Sequence, residues 1–181
     1  SSEVYAPEGV EETTPMMRDL FAAQTHVDPD SYRSAASFRA LVDDVVARAA
    51  AVRSGPALLV FPENVGTFLP FAVAGGGSTP ALAAASAALK EPRSFLAALR
   101  RVRRPVLAAL VSVASEVRGL LHETFAAAAR REGLCIVGGS ALLPGADGRV
   151  HNVSPFFDAD GLERAVVDVH PSGEGADGAG P

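Results

Sequence analysis

Apolar residues along the chain alternate between short runs and helical stripes, a pattern typical of α/β proteins. Residues 19–25 form a short apolar run that ends in polar residues, which predicts a buried strand. Residues 28–31 break this run and offer side chains that can cap a helix. A helix is predicted over residues 32–52, where these apolar residues recur with helical spacing: Phe38, Leu41, Val42, Val45, Val46 and Ala49.

A second strand is predicted directly after this helix. Ser54, Gly55 and Pro56 stop the helix, and residues 57–61 are apolar without alternation, as expected of a strand covered on both faces. Strand, helix and strand in this order predict a βαβ unit with a right-handed crossover. Glu63 stands just past the end of the second strand.

The second half of the chain predicts a long helix and then several strands. Residues 105–113 are predicted as a strand, after which Ser115 can cap a helix that ends at Gly133. The inner face of this helix is Val117, Leu120, Leu121, Phe125 and Ala128. The remaining predicted elements are helical pieces at 81–89 and 95–102, strands at 134–140, 150–157 and 164–169, and turns at 144–148 and 158–161.

Length and composition indicate one domain, predicted over residues 18–170. Residues 1–17 are expected to form a flexible leader, and the tail at 171–181, rich in Gly, Ala and Asp, is expected to be disordered. The polar, acidic start lacks the pattern of a signal peptide, and no run of about 20 residues is apolar enough for a membrane span. Cys135 is the only cysteine, which fits a reducing compartment, so a cytoplasmic location is expected.

Several classes of ligand are disfavoured by the sequence. The net charge is −5, so no basic face for nucleic acid is expected, and the arginine cluster at 100–104 is interpreted as a solvated helix end. The four histidines have no metal-ligand spacing, so neither a metal nor a cofactor is expected. Residues 75–79 lack the lysine of a phosphate loop, and Ser140 lacks the motif of a nucleophile elbow.

Glu63 is the strongest candidate for chemistry. In open α/β sheets, ligands bind beyond the carboxyl ends of the strands, where Glu63 is predicted to lie. A carboxylate walled by Phe61 and Pro62 would be partly desolvated, which favours its protonated form and suits a general acid or base. A solvated loop carboxylate is the competing interpretation of this residue.

Four segments in order resemble the nitrilase, or carbon–nitrogen hydrolase, superfamily. Residues 58–63, Leu-Leu-Val-Phe-Pro-Glu, are similar to the family's strand that ends in the catalytic glutamate. Residues 19–24 resemble its opening strand, and residues 135–140 its central strand. Residues 151–161, His-Asn-Val-Ser-Pro-Phe-Phe-Asp-Ala-Asp-Gly, resemble a hairpin of the same family. The resemblance implies an αββα sandwich, of which this chain holds the N-terminal part.

The family mechanism uses a cysteine, a glutamate and a lysine. The thiolate attacks an amide or nitrile carbon, the glutamate moves protons, and the lysine stabilises the tetrahedral intermediate. Glu63 matches the glutamate. If His170 matches the family histidine, Asp168 occupies the position of the lysine, where its charge has the wrong sign. Lys90, the only lysine, precedes the central strand and does not match, and Cys135 lies inside a strand, where a small buried thiol is the ordinary explanation.

The sequence therefore predicts a hydrolase of non-peptide carbon–nitrogen bonds, with a small amide, nitrile or carbamoyl compound as substrate. The resemblance also implies a homo-oligomer. This chain alone is expected to be inactive, because only Glu63 of the three catalytic residues is matched. The alternative is a truncated or degenerate, non-catalytic homologue that acts in binding or assembly. The acyl-transferase branch of the same fold is disfavoured because its members normally carry membrane helices.

Overall fold

A computed structural model describes residues 17–25, 28–63, 65–73, 93, 96, 112–144 and 150–168. In chain order, its elements are β1 (Asp19–Ala22), a 3₁₀ helix (Pro29–Tyr32), α1 (Ala35–Val52), β2 (Ala57–Val60), α2 (Leu69–Val73), α3 (Ala114–Glu132), β3 (Cys135–Val137), β4 (Ala141–Pro144), β5 (Val150–Phe157) and β6 (Glu163–Asp168). The predicted α/β class is confirmed. Several of the predicted segments lie outside the described residues: the leader over most of its length, the tail, the helical pieces at 81–89 and 95–102 over nearly all their residues, and most of the turn at 144–148.

The predicted βαβ unit is present. β1 and β2 are adjacent and parallel, with Leu20 opposite Leu58, and α1 connects them. β3 adds a further parallel strand on the other edge of β2, so β2 lies inside the sheet. The carboxyl ends of these three strands therefore lie at the same edge of the sheet.

The antiparallel part of the sheet is built around β5. β3 pairs with one end of β5, Ile136 opposite Phe157, and β4 pairs with the other, Ala141 opposite Val153. β6 pairs with residues 153–157 of β5, which include both residues that pair with β3 and one, Val153, that pairs with β4. β6 therefore lies on the opposite edge of β5, and β3 and β4 lie end to end along the same edge. The predicted single strand at 134–140 is thus wrong in extent: it stops at Val137, and a separate strand follows Ser140.

The two long helices differ in how their first turns are capped. Ser34, rather than a residue of 28–31, caps α1, because its hydroxyl accepts a hydrogen bond from Ser37 N at 3.1 Å. Asp28 instead caps the preceding 3₁₀ helix. The predicted cap of α3 is wrong: Val113 holds the cap position without a side-chain bond, so Ser115 lies in the first turn. Gly133 ends α3 as predicted, in the left-handed conformation with φ of 60°.

The hydrophobic core lies on one face of the sheet, beneath α1 and α3. The Phe125 ring of α3 lies 4.9 Å from that of Phe61, 6.2 Å from that of Phe38 on α1, and 6.3 Å from that of Phe157 on β5. These four side chains join both helices to the sheet. The predicted inner face of α3 is confirmed, since all its members are buried.

The opposite face of the sheet is more exposed. Leu20 is 73% exposed, while Leu58 and Cys135, its neighbours across the sheet, are half-buried. The alternation along β2, where Ala57 and Leu59 are buried, shows that only the helical side is fully covered by the described residues. None of the described helices combines the length and the hydrophobicity that a membrane crossing requires.

Candidate functional site

Glu63 lies in the loop that leaves the carboxyl end of β2. Phe61 N donates to Val137 O at 2.9 Å, which extends the pairing of β2 with β3 beyond the end of β2 itself. Three residues later than Glu63, Gly66 N donates to Ser140 O, also at 2.9 Å. The loop is therefore bound on both sides of Glu63 to the segment between Val137 and β4, and this fixes the backbone that carries the carboxylate.

Gly139 provides the surface on which this loop rests. Its φ is +67°, a conformation that residues with a side chain rarely adopt. A Cβ at this position would lie 2.4 Å from Pro62 O and 2.4 Å from Val65 Cγ1. The break between β3 and β4 thus places a residue without a side chain directly beneath the residues that flank Glu63.

A buried tyrosine is hydrogen-bonded to the same loop. Tyr32, at the end of the 3₁₀ helix, is 4% exposed, and its hydroxyl donates to Val65 O at 2.9 Å. Burial raises the pKa of Tyr32 to about 12, so the phenol keeps the proton that it donates. Its ring centroid lies 5.9 Å from that of Phe38 and 5.6 Å from that of Phe68, which fixes its orientation.

Asn152, near the start of β5, is a described residue whose side chain reaches the Glu63 carboxylate. Its Nδ2 donates to Glu63 Oε1 over 3.4 Å. The other end of the same amide, Oδ1, is buried and has no hydrogen-bond partner among the described residues. Strand β5 and the loop after β2 therefore meet at this carboxylate, although they are far apart in the sequence.

The environment of Glu63 differs from the predicted one in one respect. The side chain is exposed, so the described residues do not provide the expected desolvation. Phe61 does not wall the carboxylate, because strand alternation directs its ring into the core against Phe125. The position at the carboxyl end of a central strand is as predicted, whereas the catalytic role of Glu63 stays a prediction.

Cys135 does not belong to this arrangement. It lies at the start of β3 on the less covered face of the sheet, where it is half-buried rather than fully buried. Burial raises the pKa of the Cys135 thiol and outweighs a hydrogen bond from the Ala159 backbone, which lowers it; the nearby Asp158 carboxylate acts in the same direction as burial. The raised pKa disfavours the thiolate that a nucleophile requires.

The other residues considered in the sequence are not assembled into a second site by the described structure. His122 Nε2 lies 3.9 Å from Glu163 Oε2, beside a small cleft between α3 and strands β4 to β6. Within the described residues, no group of three or more His, Cys, Asp and Glu side chains could hold a metal ion. Asp168 is the last residue of β6, opposite Val153, and Lys90, His26 and His170 lie outside the described residues.

Sequence reasoning missed two residues around Glu63. Asn152 belongs to the hairpin that carries the family resemblance, but the pattern of apolar and polar residues in the sequence does not indicate that it faces Glu63. Tyr32 was assigned to the predicted helix, and its contact with Val65 depends on the 3₁₀ turn that displaces it from α1. Each contact joins segments distant in sequence, so neither could be read from local spacing.

Comparison with known proteins gives a likeness in structure alone. No protein-family model matches the chain, and no curated protein matches it. The chain is similar in structure to amidases of the nitrilase superfamily. One solved structure is an amidase from Nesterenkonia sp. AN1 with acrylamide added at its active-site cysteine; identity is 17%, the TM-score is 0.43, and the match covers 82% of this chain and 42% of that one.

A second variant of the Nesterenkonia AN1 amidase, described as a member of the nitrilase superfamily, is 19% identical. Its TM-score is 0.42, with 86% of this chain and 44% of that chain covered. This chain therefore spans less than half the length of the structures it matches. Both TM-scores are low.

Proposed function

We propose that this chain is the part of a carbon–nitrogen hydrolase that supplies the general base, Glu63. The observation that carries the proposal is the placement of one carboxylate beyond the carboxyl end of a central strand. The loop around it is held by Gly66, Tyr32 and the close approach to Gly139. A solvated loop carboxylate without a function would not need such a rigid support.

The chemistry of the proposal is hydrolysis of a small amide, nitrile or carbamoyl compound. For an amide, Glu63 accepts the proton of a cysteine thiol, and the thiolate attacks the carbonyl carbon to give a tetrahedral intermediate. The C–N bond breaks, the amine leaves with the proton, and a thioester remains. Glu63 then takes a proton from water, whose oxygen attacks the thioester carbonyl carbon; the C–S bond breaks, the acid is released, and the cysteine recovers the proton from Glu63. A lysine would stabilise the oxyanion at both stages.

The cysteine and the lysine of this mechanism would come from sequence outside residues 1–181. Cys135 is disfavoured as the nucleophile because its surroundings raise the pKa of its thiol. Asp168 stands where the resemblance places the lysine. The full enzyme would therefore be completed by further chain. A cytoplasmic homo-oligomer without metal or cofactor remains part of the proposal.

The test uses the protein at the length at which its own cells make it, established from its intact mass. Release of ammonia or amine from a panel of amides, nitriles and carbamoyl compounds is compared for the wild type and Glu63→Gln. Loss of general-base catalysis should lower kcat by about 10²- to 10⁴-fold. Glu123→Gln is the matched control, because this exposed carboxylate on α3 lies in a surface ion pair with Arg39.

Equal activity of Glu63→Gln and Glu123→Gln would refute the role of Glu63. The competing function is a non-catalytic homologue that binds or assembles with a partner, and Asp168 at the lysine position favours it. That function predicts a native protein whose mass equals that of residues 1–181 and a wild type that hydrolyses none of the compounds. Thioester formation by the protein would exclude it.

A further inference from the structure

The amide of Asn152 has its two ends in very different surroundings. Nδ2 faces Glu63 Oε1 at 3.4 Å, across the gap between β5 and the loop after β2. A carboxylate can accept hydrogen bonds but cannot donate them, so the amide nitrogen, and not the amide oxygen, has to face it. The contact with Glu63 thus assigns which end of the Asn152 amide is the nitrogen.

The oxygen end of the Asn152 amide lies where it makes no hydrogen bond with the described residues. Asn152 Oδ1 is buried and has no hydrogen-bond partner among the described residues. A buried acceptor without a partner destabilises a folded protein, because it has lost its bonds to water without replacement. An amide at this position therefore lowers the stability of the fold.

Strand packing does not explain the asparagine either. Asn152 is paired with Leu142 of β4, and the next residue along β5, Val153, is a half-buried hydrophobic residue packed against the core. Asparagine is depleted in strands, and an apolar or β-branched residue would suit this position better. Groups that are unfavourable for the fold are expected at functional sites.

We propose that Asn152 is a positioning residue for Glu63: it binds one carboxylate oxygen and so sets the direction of the other relative to the reacting atoms. This inference rests on the proposed function of Glu63. Two elements distant in sequence then define the base: the loop after β2 supplies the carboxylate, and a residue near the start of β5 orients it. The role is separate from proton transfer, which Asn152 does not perform.

The first experiment tests the contact itself and needs no activity. The side-chain carboxamide ¹H–¹⁵N resonances of Asn152 are assigned by NMR in the 181-residue chain, through their loss in Asn152→Leu. They should shift in Glu63→Gln, where a neutral amide replaces the ionised acceptor, and stay in place in Glu123→Gln. Unmoved Asn152 resonances in Glu63→Gln would overturn the proposal.

The second experiment compares stability with turnover in the protein of native length. Asn152→Leu removes both the donor and the unsatisfied acceptor at similar volume, so the melting temperature should stay equal or rise. Its kcat should fall at least 10-fold, with a smaller change in KM, because a misdirected base impairs proton transfer more than binding. A large loss of stability with wild-type kcat would show that Asn152 is only structural and would overturn the proposal.

Asn152→Asp is the isosteric variant that keeps the acceptor and removes the donor. A second carboxylate beside Glu63 disfavours the ionised form of each, so the acidic limb of the pH–activity profile should move upward by about one pH unit. An unshifted profile would contradict the contact. If the NMR contact is present but the wild type hydrolyses nothing, the proposed function fails, while the assignment of Asn152 as the residue that holds Glu63 is supported.

Discussion

Substitution of Gly139 by alanine tests the support beneath Glu63 most directly. The added Cβ would lie 2.4 Å from both Pro62 O and Val65 Cγ1, whereas ordinary contacts begin near 3.4 Å. The loop after β2 would have to move by about 1 Å to restore normal contact distances. In addition, alanine would have to adopt a φ of +67°, which is unfavourable for any residue with a Cβ.

The two effects can be estimated separately. The left-handed conformation costs about 1–2 kcal/mol for a residue other than glycine. Forcing a methyl group into a packed region costs about 1–3 kcal/mol more. Gly139→Ala should therefore lower the free energy of unfolding by about 2–5 kcal/mol, a large part of the stability of an ordinary domain.

Gly133 offers a matched control within the same chain. Its φ is +60°, almost that of Gly139, but the nearest atoms to an added Cβ are the ends of the flexible Arg53 side chain, at 3.9 and 4.0 Å. Gly133→Ala thus carries the backbone cost without the clash, and should lose only about 1–2 kcal/mol.

Urea unfolding followed by circular dichroism measures both variants against the wild type. The difference between the two glycine variants reports the steric term alone. Equal losses would refute the close approach of the loop to Gly139, and with it the reasoning about the support of Glu63. The Asn152 side-chain resonances provide a second readout, because a displaced loop should also weaken the contact with Glu63.

Three further predictions concern stability. Tyr32→Phe should cost about 1–3 kcal/mol, because it leaves the buried Val65 carbonyl without its hydroxyl donor. The pKa of Tyr32 is raised from 10.0 to about 12, so the tyrosine of the unfolded chain loses its proton first as pH rises. The free energy of unfolding should therefore fall between pH 10 and 12, by about 2–3 kcal/mol in total. Urea unfolding of the wild type and Tyr32→Phe across this pH range should show that this decrease is absent from the variant. Gly119→Ala, in α3 with no atom within 4 Å of the added Cβ, should instead raise stability by about 0.5–1 kcal/mol, and a loss on thermal unfolding would contradict the open surroundings of this residue.

Most of the described elements could be predicted from local pattern. The helical stripe from Phe38 to Ala49, the inner face of α3 and its end at Gly133 follow from periodicity and capping rules, and the structure confirms them. The predicted turn after β5 is also present, with Gly161 N bonded to Asp158 O at 2.9 Å. Errors occurred at boundaries: of the range 105–113 predicted as a strand, the described residues Ser112 and Val113 precede α3 without strand structure.

β4 was missed for a physical reason. Gly138, Gly139 and Ser140 are typical of the end of a strand, and only pairing with β5 shows that extended structure resumes at Ala141. A strand is stabilised by its partner, so its existence depends on residues far away in the sequence.

The sequence by itself determined the βαβ unit, the two long helices and the position of Glu63 at a strand end, because hydrophobic periodicity and turn residues act locally. The motif resemblance to carbon–nitrogen hydrolases also depended on sequence alone. Only the tertiary structure decided that Asn152 faces Glu63, that Tyr32 holds Val65 and that Gly139 lies beneath the loop. The same holds for the exposure of the Glu63 carboxylate, since solvent access depends on every element that packs around a side chain.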